Sequence, residues 1–198
     1  MEDIEAIAWR NADDKDLWLF DKLILARRLG YNCGPAGMNV PKQGHYIVRP
    51  CVNIPGMGRG AYFTDLDKET NHLPYGTFWC EVFTGDHLSI DYKDGKQVLA
   101  VRGEYYNDHE LWRFKKWEKV NVNVSLPSIL NGASTRYEYL NLEMIGDKVI
   151  EVHTRHNPNF SYGNTVAYPV WQDQTNDYPE GLKFIESKDY KRLGFYID

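Results

Sequence analysis

Glu143, Glu151, His153 and Arg155 fall close together in residues 141–155, a stretch that reads as a β-hairpin. With Gly146, Asp147 and Lys148 as a three-residue turn, Glu143 lies opposite Glu151 and Asn141 opposite His153. The other parity sets Leu140, Leu142 and Met144 against Thr154, Val152 and Ile150. One face is then almost wholly apolar and the other almost wholly polar, as the period of two demands of a half-buried hairpin. A one-residue slip would send the two glutamates to opposite faces. Like charges directly across a strand pair repel, so something must offset them, and a divalent cation bound by oxygen is the natural candidate. The plain alternative is the wet face of a surface hairpin, its charges screened by salt.

The chain around this hairpin has 198 residues, 42% hydrophobic and 26% charged, which suits one domain with a buried core. A net charge of −5, from 23 basic and 28 acidic residues, argues against a general nucleic-acid coat and against anionic membrane surfaces. Cys33, Cys51 and Cys80 form no C-x-x-C pair and read as reduced thiols of a cytoplasmic protein. The acidic start, Met1-Glu2-Asp3-Ile4-Glu5, offers no signal-peptide core, and no apolar run approaches a membrane span.

The elements that must position the hairpin are legible in outline. Residues 16–29 read as one helix, capped by Asp13, Asp14 or Asp16 and ended by Arg27, Arg28 and Gly30. Its apolar stripe is Leu17, Phe20 and Ile24, widened by Leu19, Leu23 and Ala26. Residues 45–49 form a strand, 54–61 a glycine-rich loop, and 77–83 a strand with 88–92 as its hairpin partner. Asp94-Gly95 is a hairpin turn leading into 97–102. Residues 110–120 are weakly helical, and the chain after Pro158 is irregular, with a short helix near 186–193. The organisation expected is a single unit, 1–198: a first part (16–76), a hinge and metal-hairpin part (77–160) and a C-terminal extension (161–198).

Two further groupings could carry chemistry. Gly56, Gly58 and Gly60 alternate just after a strand ending in Arg49-Pro50. Alternating glycines let backbone amides close on an anion, and Arg49 would aim a planar fork of donors at it. The pattern is neither a Walker A loop nor G-x-G-x-x-G, and taken alone it is an ordinary turn. The segment from Trp79 to Asp91 sets Glu81 and Asp86 near a strand end, where a purine or ribose could be met; alone, it is an ordinary meander.

The order of these parts is more specific than any one of them. Asp21-Lys22 in a helix, the Ile47-Val48-Arg49-Pro50 strand, the glycine loop, Glu81 with Gly85, then the Asn141-Leu142-Glu143 and Glu151-Val152-His153-Thr154-Arg155 strands follow one another. Over residues 21–159 this order resembles the ATP-grasp superfamily, in a reduced form. The resemblance implies an α+β fold of two small lobes with antiparallel sheets enclosing a nucleotide cleft. It implies ATP and Mg²⁺, with Arg49 on nucleotide phosphates, Gly56, Gly58 and Gly60 as phosphate lid, and Glu81 at the adenine–ribose hinge. Glu143 and Glu151 would hold magnesium, Arg155 would stabilise the transferring charge, and Arg102 would be a second phosphate contact. Lys22 matches the D-K signature without a ligand role.

Three departures stand out. His153 occupies the place of the usual third metal ligand, Asn; imidazole suits softer ions, so it meets substrate or a metal-bound water, or the site takes manganese. Arg49 replaces the usual Lys. Twenty residues precede Asp21, whereas ligases of the family carry a further N-terminal domain there; a second copy or a partner chain would have to replace it. The activity implied is an ATP-dependent carboxylate–amine (or thiol) ligase using an acyl phosphate, with small-molecule or peptide substrates. The runner-up is a nucleotide-binding protein that does not ligate. A third reading, a β-rich module stacking sugars or single-stranded nucleic acid on its 6 Trp and 14 Tyr, rests on aromatic content alone.

Overall fold

The computed structural model describes residues 4–52, 59–106, 110–174, 177–189 and 191–198. A short helix, α1 (Ile4–Arg10), leads to a 3-10 segment, Asp14–Phe20, and to α2 (Lys22–Arg28). β1 (Cys33–Pro35), β2 (Gly44–Pro50), β3 (Tyr62–Leu66) and β4 (Thr77–Glu81) form one antiparallel sheet in the order β1-β4-β2-β3. The second sheet takes β5 (His87–Lys93), β6 (Lys96–Tyr105), β7 (Phe114–Lys119), β8 (Tyr139–Ile145) and β9 (Lys148–His153), and is extended by β10 (Val166–Trp171), β11 (Lys183–Asp189) and β12 (Arg192–Ile197). Its order is β11-β12-β10-β7-β6-β5-β8-β9, so the β8–β9 hairpin ends one edge and β11–β12 the other. The fold is α+β with two antiparallel sheets, as expected from the resemblance. Among the described residues no helix is long and apolar enough to cross a membrane.

The expected helix over 16–29 is two pieces. The Asp13 side chain caps the first, accepting from the Lys15 amide, and Asp21 caps α2, accepting from the Ile24 amide at 2.9 Å. Aspartate competes for backbone donors outside the helix, so each one restarts the chain. The break turns Lys22 inward, to 3% exposure, and leaves Ile24 39% exposed, against the stripe expected from the sequence. Leu19 and Leu25 enter the core under the second sheet, whereas Leu23 and Ala26 pack on Phe78 and Cys80 of the first. α2 is therefore the joint between the sheets.

The central strand, β5, is buried along most of its length. Leu88, Ile90 and Tyr92 join Leu140, Leu142, Met144, Val149 and Val152 in the main core, while His87, Ser89 and Asp91 take the opposite face. The hairpin register is the expected one at Glu143↔Glu151 and Asn141↔His153. The turn differs: Ile145 pairs with Lys148 across two residues, and a bulge makes Met144 pair with Val149. Ile150 is the extra residue; instead of joining the apolar face it lines the cleft. Gly146 at the turn presses on the link between sheets: a Cβ there would lie 2.5 Å from the Thr84 carbonyl oxygen.

Three other expectations are corrected. β4 and β5 are not a hairpin; they lie in different sheets, β4 beside β1 and β2, β5 between β6 and β8. Residues 114–119 are a strand rather than part of a helix. A bulge opposite Glu104 and Tyr105 resets the parity there, so Phe114 and Trp117 both crowd Gly103, and this three-residue spacing mimics a helix. Residues 183–197 form the β11–β12 hairpin where a short helix was expected.

Candidate active site

The cleft between the sheets has a volume of about 530 Å³ and takes Arg49 from β2, His87 from β5, Glu143 from β8, and Glu151 and His153 from β9. Phe63, Phe83, Trp112 and Trp117 give it an aromatic wall. Arg49 arrives because it shares a strand face with Ile47, turned away from the Tyr46 and Val48 core.

Each glutamate of the hairpin is met by a cation or ring of the chain. Lys22 Nζ lies 3.3 Å and Arg49 Nη2 3.7 Å from Glu151 Oε2. Arg49 Nη1 also donates to the Ile150 carbonyl at 3.0 Å, the group exposed by the bulge. Burial alone would raise the Glu151 pKa, yet Lys22, His153 and Arg49 together hold it below the usual carboxylate range. Burial pushes the Lys22 ammonium down against the pull of Glu151. Glu143 Oε2 receives His87 Nε2 at 2.5 Å, and His87 Nδ1 faces the Tyr105 hydroxyl at 2.5 Å. Burial and the Glu143 carboxylate keep the Tyr105 phenol protonated well above its ordinary range.

A second cluster lies beside the first. His153 Nδ1 is 3.0 Å from Glu5 Oε1, and Arg155 Nε donates to the same oxygen at 2.7 Å, with Nη2 also in contact. Burial alone would raise the Glu5 pKa, but His153 and Arg155 bring it to about 2. His153 Nε2 stands 4.0 Å from Glu151 Oε1, so the imidazole bridges the clusters. Against the desolvation that would keep it neutral, Glu5 raises the His153 pKa. The loop carrying Arg155 is fixed from below: the Asn157 amide reaches both oxygens of buried Asp91 at 3.0 Å, and Asn141 Nδ2 reaches Asp91 at 2.8 Å and Ser89 Oγ at 2.7 Å.

Of the residues singled out in the sequence, Arg49, Glu143, Glu151, His153 and Arg155 come together here. Arg102 does not line this cleft; it lies 45% exposed on β6, paired with Glu118 at 2.6 Å and Asp86 at 3.6 Å. Neither does Glu81, whose Oε1 accepts from the Asn32 amide at 2.8 Å and so ties the end of β4 to the start of β1. Gly60 has φ +85° beside Pro50, while Gly56 and Gly58 lie outside the described residues. Among the described residues no group of three His, Cys, Asp or Glu is gathered as a metal site. Glu5, His87 and Asn157 were not singled out, because nothing local in the sequence marks them; Lys22 was, and its inward turn follows from the Asp21 cap.

No protein-family model and no curated protein matches this chain. Solved structures do. A putative ATP-grasp superfamily protein from Archaeoglobus fulgidus aligns with TM-score 0.50 and 14% identity, over 90% of this chain and 64% of that one. The ATP-grasp ligase PsnB in complex with a minimal precursor aligns at 0.45 and 16%, over 73% and 54%. D-alanine–D-alanine ligase from Bacillus anthracis aligns at 0.41 and 14%, over 70% and 57%. The archaeal structure establishes an ATP-grasp-like fold for this chain. The chain spans only 54–64% of the length of these three structures.

Proposed function

We propose that this chain is an ATP- and magnesium-dependent carboxylate–amine (or thiol) ligase working through an acyl phosphate. The observation that carries the reading is the Glu143–Glu151 pair, opposed in register and lining a cleft with Arg49, while Lys22 backs Glu151 from the interior. The donor set fits magnesium, which is commonly held by one or two carboxylates plus substrate phosphates and water. Glu143 and Glu151 would hold it, and it would supply neutralisation of phosphate charge there. His153 fits less well as a third ligand, since its Nδ1 faces Glu5.

The chain's own residues supply the rest. Lys22 and Arg49 neutralise Glu151; phosphates in the cleft would take over Arg49 while buried Lys22 stays with Glu151, which suits a transfer that needs positioning and charge more than covalent help. Arg155 would stabilise the charge developing on the transferred group. Gly60, which has φ +85° beside Pro50, would bring its backbone amide to the phosphates. The aromatic wall would limit water around the reacting groups, which would protect an acyl phosphate from hydrolysis. The nucleophile, an amine or thiol, would then displace phosphate from the acyl carbon.

A second reading, nucleotide binding without ligation, is favoured by one contact: Glu5 holds His153 and Arg155, two groups the reaction would need. Calorimetric titration with ATP and Mg²⁺, followed by ADP release over panels of acids and amines, separates the two. Binding with acid-dependent ADP release supports the ligase, and binding without turnover supports the second reading. Absence of nucleotide binding removes both.

A further inference from the structure

We propose that His153, Arg155 and Arg192 form the subsite for the acid substrate, a carboxylate on a short flexible stem, and that Glu5 occupies it as a built-in stand-in. The inference rests on the ligase reading of the cleft and deepens it. A carboxylate is already bound there: imidazole and guanidinium converge on Glu5 Oε1 at 3.0 and 2.7 Å. The side chain that brings it is a glutamate, an acid on a two-methylene stem reaching in from a peptide backbone. Arg192, at the start of β12, lines the same cleft; it donates to Ser187 at 3.3 Å and faces Asp189 across the hairpin. Burial and the Arg155 charge act against its own charge, while Asp189 supports it. An anion beside Arg155 would relieve part of that repulsion. The C-terminal extension therefore delivers a cation to the cleft.

The helix that carries the stand-in is short. α1 has seven residues, too few to form alone in water. Its Ile7 and Trp9 remain 39% and 45% exposed, so the helix buries little apolar surface. Trp9 adds an edge contact with Phe20, centroids 5.4 Å apart. An incoming acid has to displace one ion-paired carboxylate and lift a loosely packed helix, and its apparent affinity is lowered by the fraction of molecules in which Glu5 stays in place.

The experiment is done without nucleotide, so that it fails independently of the ligase reading. Glutarate, and a blocked peptide carrying one glutamate, are titrated by calorimetry into the full chain, into E5Q and into E5Q/R192Q, with circular dichroism as the fold control. At least one of the two acids should bind E5Q about tenfold more tightly than the unaltered chain, and R192Q should remove the gain. Which acid gains tells whether the stem belongs to a free diacid or to a peptide. The proposal is overturned if E5Q gains nothing, if the glutamine version of the peptide gains equally, or if E5Q tightens ATP or inorganic phosphate instead. Should E5Q fold poorly, the unaltered chain still reports: either acid should release α1 and change the fluorescence of Trp9 as it leaves Phe20, and no change with either would overturn the proposal.

Discussion

Two hairpins end the eight-stranded sheet, and they are built differently. β8–β9 puts Leu140, Leu142, Met144, Val149 and Val152 in the main core and turns its charges into the cleft, with α2 packed beside it. β11–β12 leaves β11 largely exposed, with Lys183, Glu186 and Lys188 along an outer edge. Charged side chains on such an edge discourage pairing with other chains. The difference teaches that one buried face fixes both register and legibility. Burial forces near-alternation of apolar and polar residues on β8–β9, broken at the bulge, whereas β11 at the edge is exposed on one face and only half-buried on the other, and its residue types need not alternate.

The sharpest way to break this contrast is at the buried charge. Glu151→Gln should destabilise the chain by about 3–5 kcal/mol, because it leaves Lys22 buried without its anion, and should abolish nucleotide-dependent turnover. Adding Lys22→Met should recover most of the stability but not the turnover. Thermal unfolding together with ADP release reads both, and a single variant as stable as the parent would deny the Lys22–Glu151 pair its structural part.

The turns offer a smaller test. Gly146→Ala suffers a left-handed φ of +58° and a Cβ 2.5 Å from the Thr84 oxygen, whereas Gly181→Ala, at +81° just before β11, meets nothing within 4 Å. Both should lose about 1–2 kcal/mol to the backbone, and Gly146→Ala a further 1–3 kcal/mol or so to crowding. Equal urea midpoints would show that the turn does not press on the link between the sheets.

On the C-terminal side acid gives the smallest effect, through two exposed carboxylates. The Asp173 pKa is lowered to about 2 by Arg113 and Lys191, and that of Asp198 to about 2 by the Thr165 side chain and the Val166 amide. Both folded values lie below the ordinary 3.8. The stability they contribute is therefore complete above about 3.8 and fades as pH falls through about 2. Hydrogen exchange across that window should speed up in β10–β12, and unchanged exchange there would contradict the assignment.

Legibility follows the same physics residue by residue. Asn141 and His153 could be paired from the sequence because the apolar and polar faces match only that way, although the expected three-residue turn is a two-residue turn followed by a bulge at Ile150. Ile150 was misplaced because a bulge spends one residue without altering composition. The 110–120 segment failed because Phe114 and Trp117 share a face only through another bulge, and 186–193 failed because an exposed strand carries no alternation. Arg102 and Glu81 were assigned by motif order, and the structure ties both to neighbours outside the cleft.

By itself, the sequence determined that Glu143 and Glu151 face one another on a polar strand surface, since local alternation of apolar and charged residues is enough to set that. Tertiary structure alone decided which charges answer them. Lys22 turns inward at an aspartate cap, Arg49 comes across from another sheet, His87 lies beneath, and Glu5 reaches His153 from the far end of the chain. Local burial is written in neighbouring residues, but the partners of a buried charge are fixed by chain closure over long separations, where desolvation makes an unmatched ion too costly to keep.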